Sequence, residues 1–259
     1  MPDPTSTSQG STPQGVTDDT LLDGKVKFRQ PASGYRAAID PVLLAAAVPD
    51  SVQGRVLDLG CGAGAAMLCL AKRREDLQIV GLERDERMAQ LARHNVEANE
   101  FGTRVTVVTG DLLQPPPQVV IGSFNAVIAN PPFLDPDSAT ASPDPQKASA
   151  TVEGDADLAD WTRAASRFVR PNGLVVFIHR ADRLAALRTA LEQSGCGGLV
   201  LLPIWPKAHT EPKRIIVVGR RGDKSDVRMA NGLILHDNNE RFTQKANGVL
   251  REGLPLTIV

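Results

Sequence analysis

Cysteine and histidine are scarce in this chain. Cys61, Cys69 and Cys196 are too few and too scattered for a disulfide framework or a paired CxxC metal site. His94, His179, His209 and His236 also lack metal-ligand spacing, so no metal centre is expected. Net charge is nearly missing too, at −1 over 259 residues. Nothing global therefore advertises a polyanionic partner, and any such contact needs a local patch. No apolar run approaches a membrane span, and the first twenty residues lack the basic, apolar and cleavage-site order of a signal peptide. The expectation is a cytoplasmic protein. There is no internal repeat.

What is present suits a folded enzyme-sized domain. With 42% hydrophobic and 23% charged residues, the chain can bury a sizeable core, as one large α/β domain with appendages or at most two small ones. Met1 to about Asp19 is rich in Ser, Thr, Gln, Pro and Gly, which predicts a disordered tail over residues 1–20. Residues 21–50 should form a hairpin and a helix packed on the main domain, which occupies 51–259. The hairpin turns at Asp23-Gly24, with Val26 and Phe28 on one face. Asp40 suits an N-cap and Pro41 a first helical residue. That helix start either sits near a ligand or simply packs.

The main domain alternates strand and helix. Strands are expected at 55–60, 78–83, 104–109, 124–129 and 173–179, with helices at 65–74, 84–99, 158–170 and 181–193 between them. This alternation argues a parallel, doubly wound, Rossmann-like sheet with helices on both faces. Residues 199–204 and 214–219 have no room for a helix between them, so they should close the sheet as an antiparallel pair. Residues 134–156 have no period; they read as a lid because they leave directly from Phe133, with plain disorder as the alternative.

Ligands of such sheets bind outside the carboxyl ends of the strands. There the sequence sets Asp58 to Gly64, Glu83, Asp111 and Asn130. Gly60-Cys-Gly62-Ala-Gly64-Ala65 with Glu83 fits the dinucleotide pattern, so a nicotinamide oxidoreductase is one reading. Yet glycines that admit a ligand and an acid that accepts from ribose suit any adenosine cofactor. Asp58 adds a carboxylate that a pyrophosphate would disfavour and a cationic amino group would welcome. Asp111 adds a polar group that could meet an adenine amino group.

The strand at 124–129 stops at Asn130-Pro131-Pro132-Phe133. Neither proline has an N–H, and each biases its predecessor away from helix. The stiff turn leaves the Asn130 amide and the Pro131 carbonyl without ladder partners, beside the Phe133 ring. Two acceptors and a flat apolar face suit a planar group bearing –NH2. Taken alone, such a turn can equally be punctuation.

Taken in order, Asp58-Leu-Gly-Cys-Gly-Ala-Gly64, Glu83, Asp111 and Asn130-Pro-Pro-Phe133 resemble the motifs of class I S-adenosylmethionine-dependent methyltransferases acting on exocyclic or amide nitrogens. The segment Phe28-Arg-Gln-Pro-Ala-Ser-Gly-Tyr-Arg-Ala-Ala-Ile-Asp-Pro-Val-Leu-Leu-Ala is similar to the bacterial methyltransferases that modify N6 of adenosine 37 in valine tRNA. The resemblance covers about residues 21–259. It implies a seven-stranded sheet and S-adenosyl-L-methionine as cofactor. Asp58, Gly60 and Gly62 would line its methionine part, Glu83 its ribose, and Asp111 with Leu112 its adenine. Arg36 and Asp40 would belong to an upstream motif closing the cofactor pocket, and Asn130 would border cofactor and substrate alike. Asn130, Pro131, Pro132 and Phe133 would be catalytic. Asn-Pro-Pro-Phe also occurs in guanine-N2 rRNA methyltransferases and, with Tyr for Phe, in enzymes methylating release-factor glutamine.

A tRNA partner, with valine tRNA and its anticodon stem-loop foremost, needs a cationic surface. Lys207, Lys213, Arg214, Arg220, Arg221, Lys224 and Arg228 stand against Glu211, Asp223 and Asp226. The run is expected to face RNA, or else to be a solvated edge.

Overall fold

Alternating apolar residues give the sheet two buried faces. On β3 (Arg55–Leu59) Val56 joins one core, while Leu57 and Leu59 join the other. Strand β4 (Gln78–Glu83) divides Ile79 from Val80 and Leu82, and β6 (Phe124–Ala129) divides Ala126 and Ile128 from Val127 and Ala129. Each strand therefore needs helices on both sides. The computed structural model, which describes residues 15–33, 36–132 and 156–258, supplies them. Helices α1 (Ile39–Ala46), α2 (Ala65–Arg73) and α3 (Glu86–Ala98) cover one face. Helices α4 (Leu158–Phe168) and α5 (Leu184–Gln193) cover the other.

Two further strands complete the doubly wound half, β5 (Val105–Thr109) and β7 (Val169–Arg180). Strands β8 (Cys196–Lys207) and β9 (Arg214–Arg221) follow. Among the described residues the sheet runs β10–β8–β9–β7–β6–β3–β4–β5, where β10 is Arg228–Met229 and β11 (Leu233–His236) also pairs with β8. The expected seven-stranded sheet is its body, and the two short strands extend the β8 edge. Strand β9 is antiparallel to both neighbours, β7 and β8. The chain leaves β3 for β4 and β5 on one side, then returns to place β6 and β7 on the other. That reversal opens a crevice at the carboxyl ends of β3 and β6.

Two expectations need correction. The tail expected to reach residue 20 is already a strand at Val16, since β1 (Val16–Leu21) pairs with β2 (Val26–Pro31) along its whole length. Its side chains are held by polar contacts instead of burial, which hides the period. Arg29 Nε lies 2.6 Å from Asp18, and Asp19 Oδ2 accepts from Thr17 Oγ1 at 2.7 Å and Gln30 Nε2 at 2.9 Å. Nor does Asp40 cap α1. The helix begins two residues earlier, at Ile39, with Ala38 at its N-cap and no side-chain cap. The Asp40 carboxylate instead accepts from Arg214 Nε at 2.7 Å, on β9.

Candidate active site

The loop between β3 and α2 is strapped to the end of β4. Gly60 N and Cys61 N both donate to the Leu82 carbonyl, at 2.8 and 3.0 Å. Gly60 has φ +70°, and a Cβ there would lie 2.3 Å from the Trp161 ring, so only glycine fits. Gly62, at φ +56°, turns its N–H onto Glu83 Oε2 at 2.8 Å. The second Glu83 oxygen accepts from Asp85 N at 2.8 Å. Beneath the loop, Asp58 Oδ2 accepts from Met67 N at 3.0 Å, in the first turn of α2.

Burial sets the electrostatics here. The Asp58 side chain is almost wholly enclosed, which pushes its pKa up to about 7; the Met67 N–H opposes the shift and the Glu83 charge adds to it. Burial likewise raises Glu83, against the pull of its main-chain bonds to Asp85 and Gly62. Burial pushes the Cys61 thiol well above its ordinary range, so it is no nucleophile. Two enclosed carboxyl groups of this kind favour a cationic ligand, whose charge would hold both ionised.

These residues line a cavity of about 490 Å³. Asp58, Gly60, Gly62 and Glu83 meet Asp111 and Leu112 on one side and Asn130, Pro131 and Pro132 on another. Asp111 is held in place by accepting from Leu113 N at 2.8 Å. Asn130 directly follows Ala129, which pairs with Leu59 of β3, so the Asn-Pro-Pro turn stands beside the glycine loop. Phe133, and the 134–156 segment apart from Ala156, lie outside the described residues; Ala156 lines the cavity. An acid-lined cavity with glycines at its floor fits an adenosine cofactor carrying positive charge.

Arg36 and Asp40 do not line the cavity. Arg36 donates to Thr17 Oγ1 and Asp19 Oδ2, both at 2.9 Å, and so braces the hairpin. Asp40 is engaged by Arg214. The basic run is also divided. Arg214 pairs in register with Arg180, at the carboxyl end of β7, whereas Arg220 pairs with Leu174, half-way back along it. Six residues of extended chain separate the two ends by about 20 Å. Arg220 and Arg221 point back to main-chain carbonyls of Asn172 and Val169, each at 2.6 Å, on the side of the sheet away from the cavity. Lys207 is ion-paired with Glu240, while Lys213 is exposed near the cavity end of the sheet.

Other residues of the site received no individual role from the sequence, although Phe28, Gln30 and Pro31 fall in the N-terminal segment that carries the family resemblance. Phe28, Gln30 and Pro31 of the hairpin form one wall. Trp161 forms another, although on an amphipathic helix it reads as ordinary core. His179 is fully buried at the carboxyl end of β7, against the main chain of Pro132 and Arg180. Burial, helped by Arg183, lowers its pKa to about 4, so the imidazole under the Asn-Pro-Pro turn is neutral.

Known proteins resemble this chain in sequence and fold. A family model described as methyltransferase small domain matches residues 37–143. A tRNA1(Val) (adenine(37)-N6)-methyltransferase of Porphyromonas gingivalis is 31% identical over 215 residues, which are 80% of this chain and 84% of the relative. One from Glaesserella parasuis is 28% identical over 208 residues, 79% of this chain and 83% of its own. A crystal structure of a predicted O-methyltransferase from Agrobacterium tumefaciens superposes with a TM-score of 0.70 at 26% identity, covering 84% of this chain and 98% of that one. A putative S-adenosyl-L-methionine-dependent methyltransferase from Methanococcus maripaludis shares the fold, with a TM-score of 0.51 at 13% identity. Similarity of this degree along most of both chains shows the family, and the protein belongs to the tRNA1(Val) (adenine(37)-N6)-methyltransferases.

Proposed function

We propose that this protein methylates the exocyclic N6 amino group of an adenosine in a tRNA anticodon loop, with adenosine 37 of valine tRNA as the specific target. The observation that carries the reading is the shared cavity. The Asn130-Pro131-Pro132 turn and the Asp58, Gly62 and Glu83 cluster open onto one space, so an amino group at the turn would face a ligand on the glycine loop.

Bound S-adenosyl-L-methionine supplies an activated methyl group on a sulfonium. The residues of the chain handle the rest. Asp58, Gly60 and Gly62 would hold the methionine part, Glu83 would accept from the ribose, and Asp111 with Leu112 would receive the adenine. The adenine amino group is a poor nucleophile because its lone pair is delocalised into the ring. Asn130 Oδ1 and the Pro131 carbonyl would accept hydrogen bonds from its two N–H groups, which favours a pyramidal nitrogen and raises its electron density in the transition state. No general base is needed before attack: N6 would become acidic only on gaining the methyl group, as the methyl's bond to sulfur breaks and leaves a neutral thioether. The surplus N6 proton would then pass to water. Phe133 stacks on a base splayed from the loop, where unstacking costs least. A tRNA substrate implies work in the cytoplasm.

The test is mass spectrometry of tRNA nucleosides after incubation with labelled cofactor and purified valine tRNA. N6-methyladenosine at position 37 is the expected product. No label in the tRNA, with label on a release-factor glutamine in a parallel incubation with that protein, would keep the chemistry of the turn and replace the substrate.

A further inference from the structure

Two asparagines, Asn95 on α3 and Asn99 at its C-cap, treat the free edge of β2 as another strand would. One edge of β2 is taken by β1. On the other, Lys27 N donates to Asn99 Oδ1 at 2.9 Å and Asn99 Nδ2 donates to the Lys27 carbonyl at 2.7 Å. One turn back, Arg29 N donates to Asn95 Oδ1 at 2.7 Å and Asn95 Nδ2 donates to the Arg29 carbonyl at 2.8 Å. A carboxamide carries the same donor and acceptor as a peptide unit. Four residues of helix advance about 6 Å, and two residues of strand advance about 6.6 Å. The two spacings match, so an i, i+4 pair on a helix satisfies alternate residues of the strand edge.

Asn95 does more than hold the edge. Its side chain is fully buried, and Nδ2 also donates to the Ala63 carbonyl at 2.9 Å, inside the glycine loop. One amide thus joins the two walls of the cavity, the hairpin with Phe28 and Pro31 and the loop with Gly62. The far end of the hairpin is tied as well, because Ala37 N donates to Gln30 Oε1 at 2.8 Å at the entry to α1. Asparagine is a modest helix former, and two of them one turn apart near the end of α3 serve the strand edge more than the helix.

We propose that Asn95 is a positioning residue for the cofactor, and that Asn95 and Asn99 together hold the N-terminal hairpin as a fixed wall over the glycine loop. The proposal rests on the reading of the cavity as the S-adenosyl-L-methionine site. Both asparagines keep the hairpin down, but only Asn95 couples it to the loop. Asn95→Ala should therefore raise the cofactor Kd and KM by about tenfold, the scale of one lost buried hydrogen bond, while kcat at saturating cofactor changes little. Asn99→Ala should weaken cofactor binding by a smaller factor.

The test combines calorimetry with S-adenosyl-L-methionine, steady-state kinetics on tRNA, and hydrogen exchange of the Lys27 and Arg29 amides in the ligand-free full chain. Faster exchange at both amides together with a KM effect and an intact kcat supports the clamp. Faster exchange with wild-type cofactor affinity in Asn95→Ala overturns it and leaves the pair as fold structure only. Should Asn95→Ala fail to fold, Asn99→Ala decides by the same two measurements, and unchanged affinity with faster exchange at Lys27 overturns the proposal. Wild-type protein that binds no S-adenosyl-L-methionine would refute the cofactor site itself, an outcome distinct from failure of the clamp.

Discussion

Cofactor affinity should depend on pH through Asp58. Its carboxyl group is enclosed at the cavity floor, and burial together with Glu83 lifts its pKa to about 7. A ligand bearing an ammonium and a sulfonium binds best when Asp58 is ionised. The ionised fraction is about one-eleventh at pH 6 and about three-quarters at pH 7.5, so affinity should rise about eightfold across that interval. Glu83, raised by burial, contributes in the same direction toward the acid side. An α-amino group with a pKa of about 7.7–8.0 is about 60–75% protonated at pH 7.5, which trims the net rise to about five- to sixfold. Stability of the ligand-free protein should move oppositely. A folded pKa above the unfolded one stabilises below the unfolded value and is lost as pH rises through the folded value, here between 3.8 and about 7. The assay is isothermal calorimetry at several pH values for wild type and Asp58→Asn, which removes the titration and leaves a side chain of similar size. The variant should bind more weakly at pH 7.5 and show a flattened profile. An unchanged slope in Asp58→Asn would refute the reasoning and move the titrating group elsewhere.

Three further outcomes follow from the geometry. Asn130→Ala removes the acceptor proposed for the amino group, so kcat should fall by about 10²–10³, as for one lost oxyanion-hole donor, with cofactor affinity nearly unchanged. Single-turnover kinetics on tRNA measure this, and a full wild-type rate would reduce the turn to punctuation. Gly60→Ala places a Cβ 2.3 Å from Trp161 at a positive φ; it should cost about 1–3 kcal/mol of stability. Combining it with Trp161→Phe should recover part of that loss in thermal melts, and full additivity would show that the ring is not the obstacle. Lys213→Glu, near the cavity end of the sheet, should weaken tRNA binding and reduce its salt dependence. Arg220→Glu, at the far end of the same strand, should leave both unchanged, and equal effects of the two would restore the single basic surface.

The alternation of strands and helices was legible in the sequence because each central strand must satisfy two cores, and that demand writes a local period into β3, β4, β6 and β7. The cavity floor was legible for a similar reason. Asp58, Gly60, Gly62, Glu83, Asp111 and Asn130 each stand at a strand end, so the alternation that fixed the sheet also brought them to one place. Only the tertiary structure could assign the residues whose partners are remote. Asp40 has the look of a helix cap in its own neighbourhood, but its carboxylate goes to Arg214, 174 positions away. Asn95 looks like a neutral helix residue until β2, 66 positions earlier, supplies the strand edge it serves. The basic run is continuous in sequence and divided in space, because an extended strand carries its two ends to opposite sides of the sheet. Local periodicity reports what a segment needs from the core, whereas polar side chains answer to partners that only folding brings near.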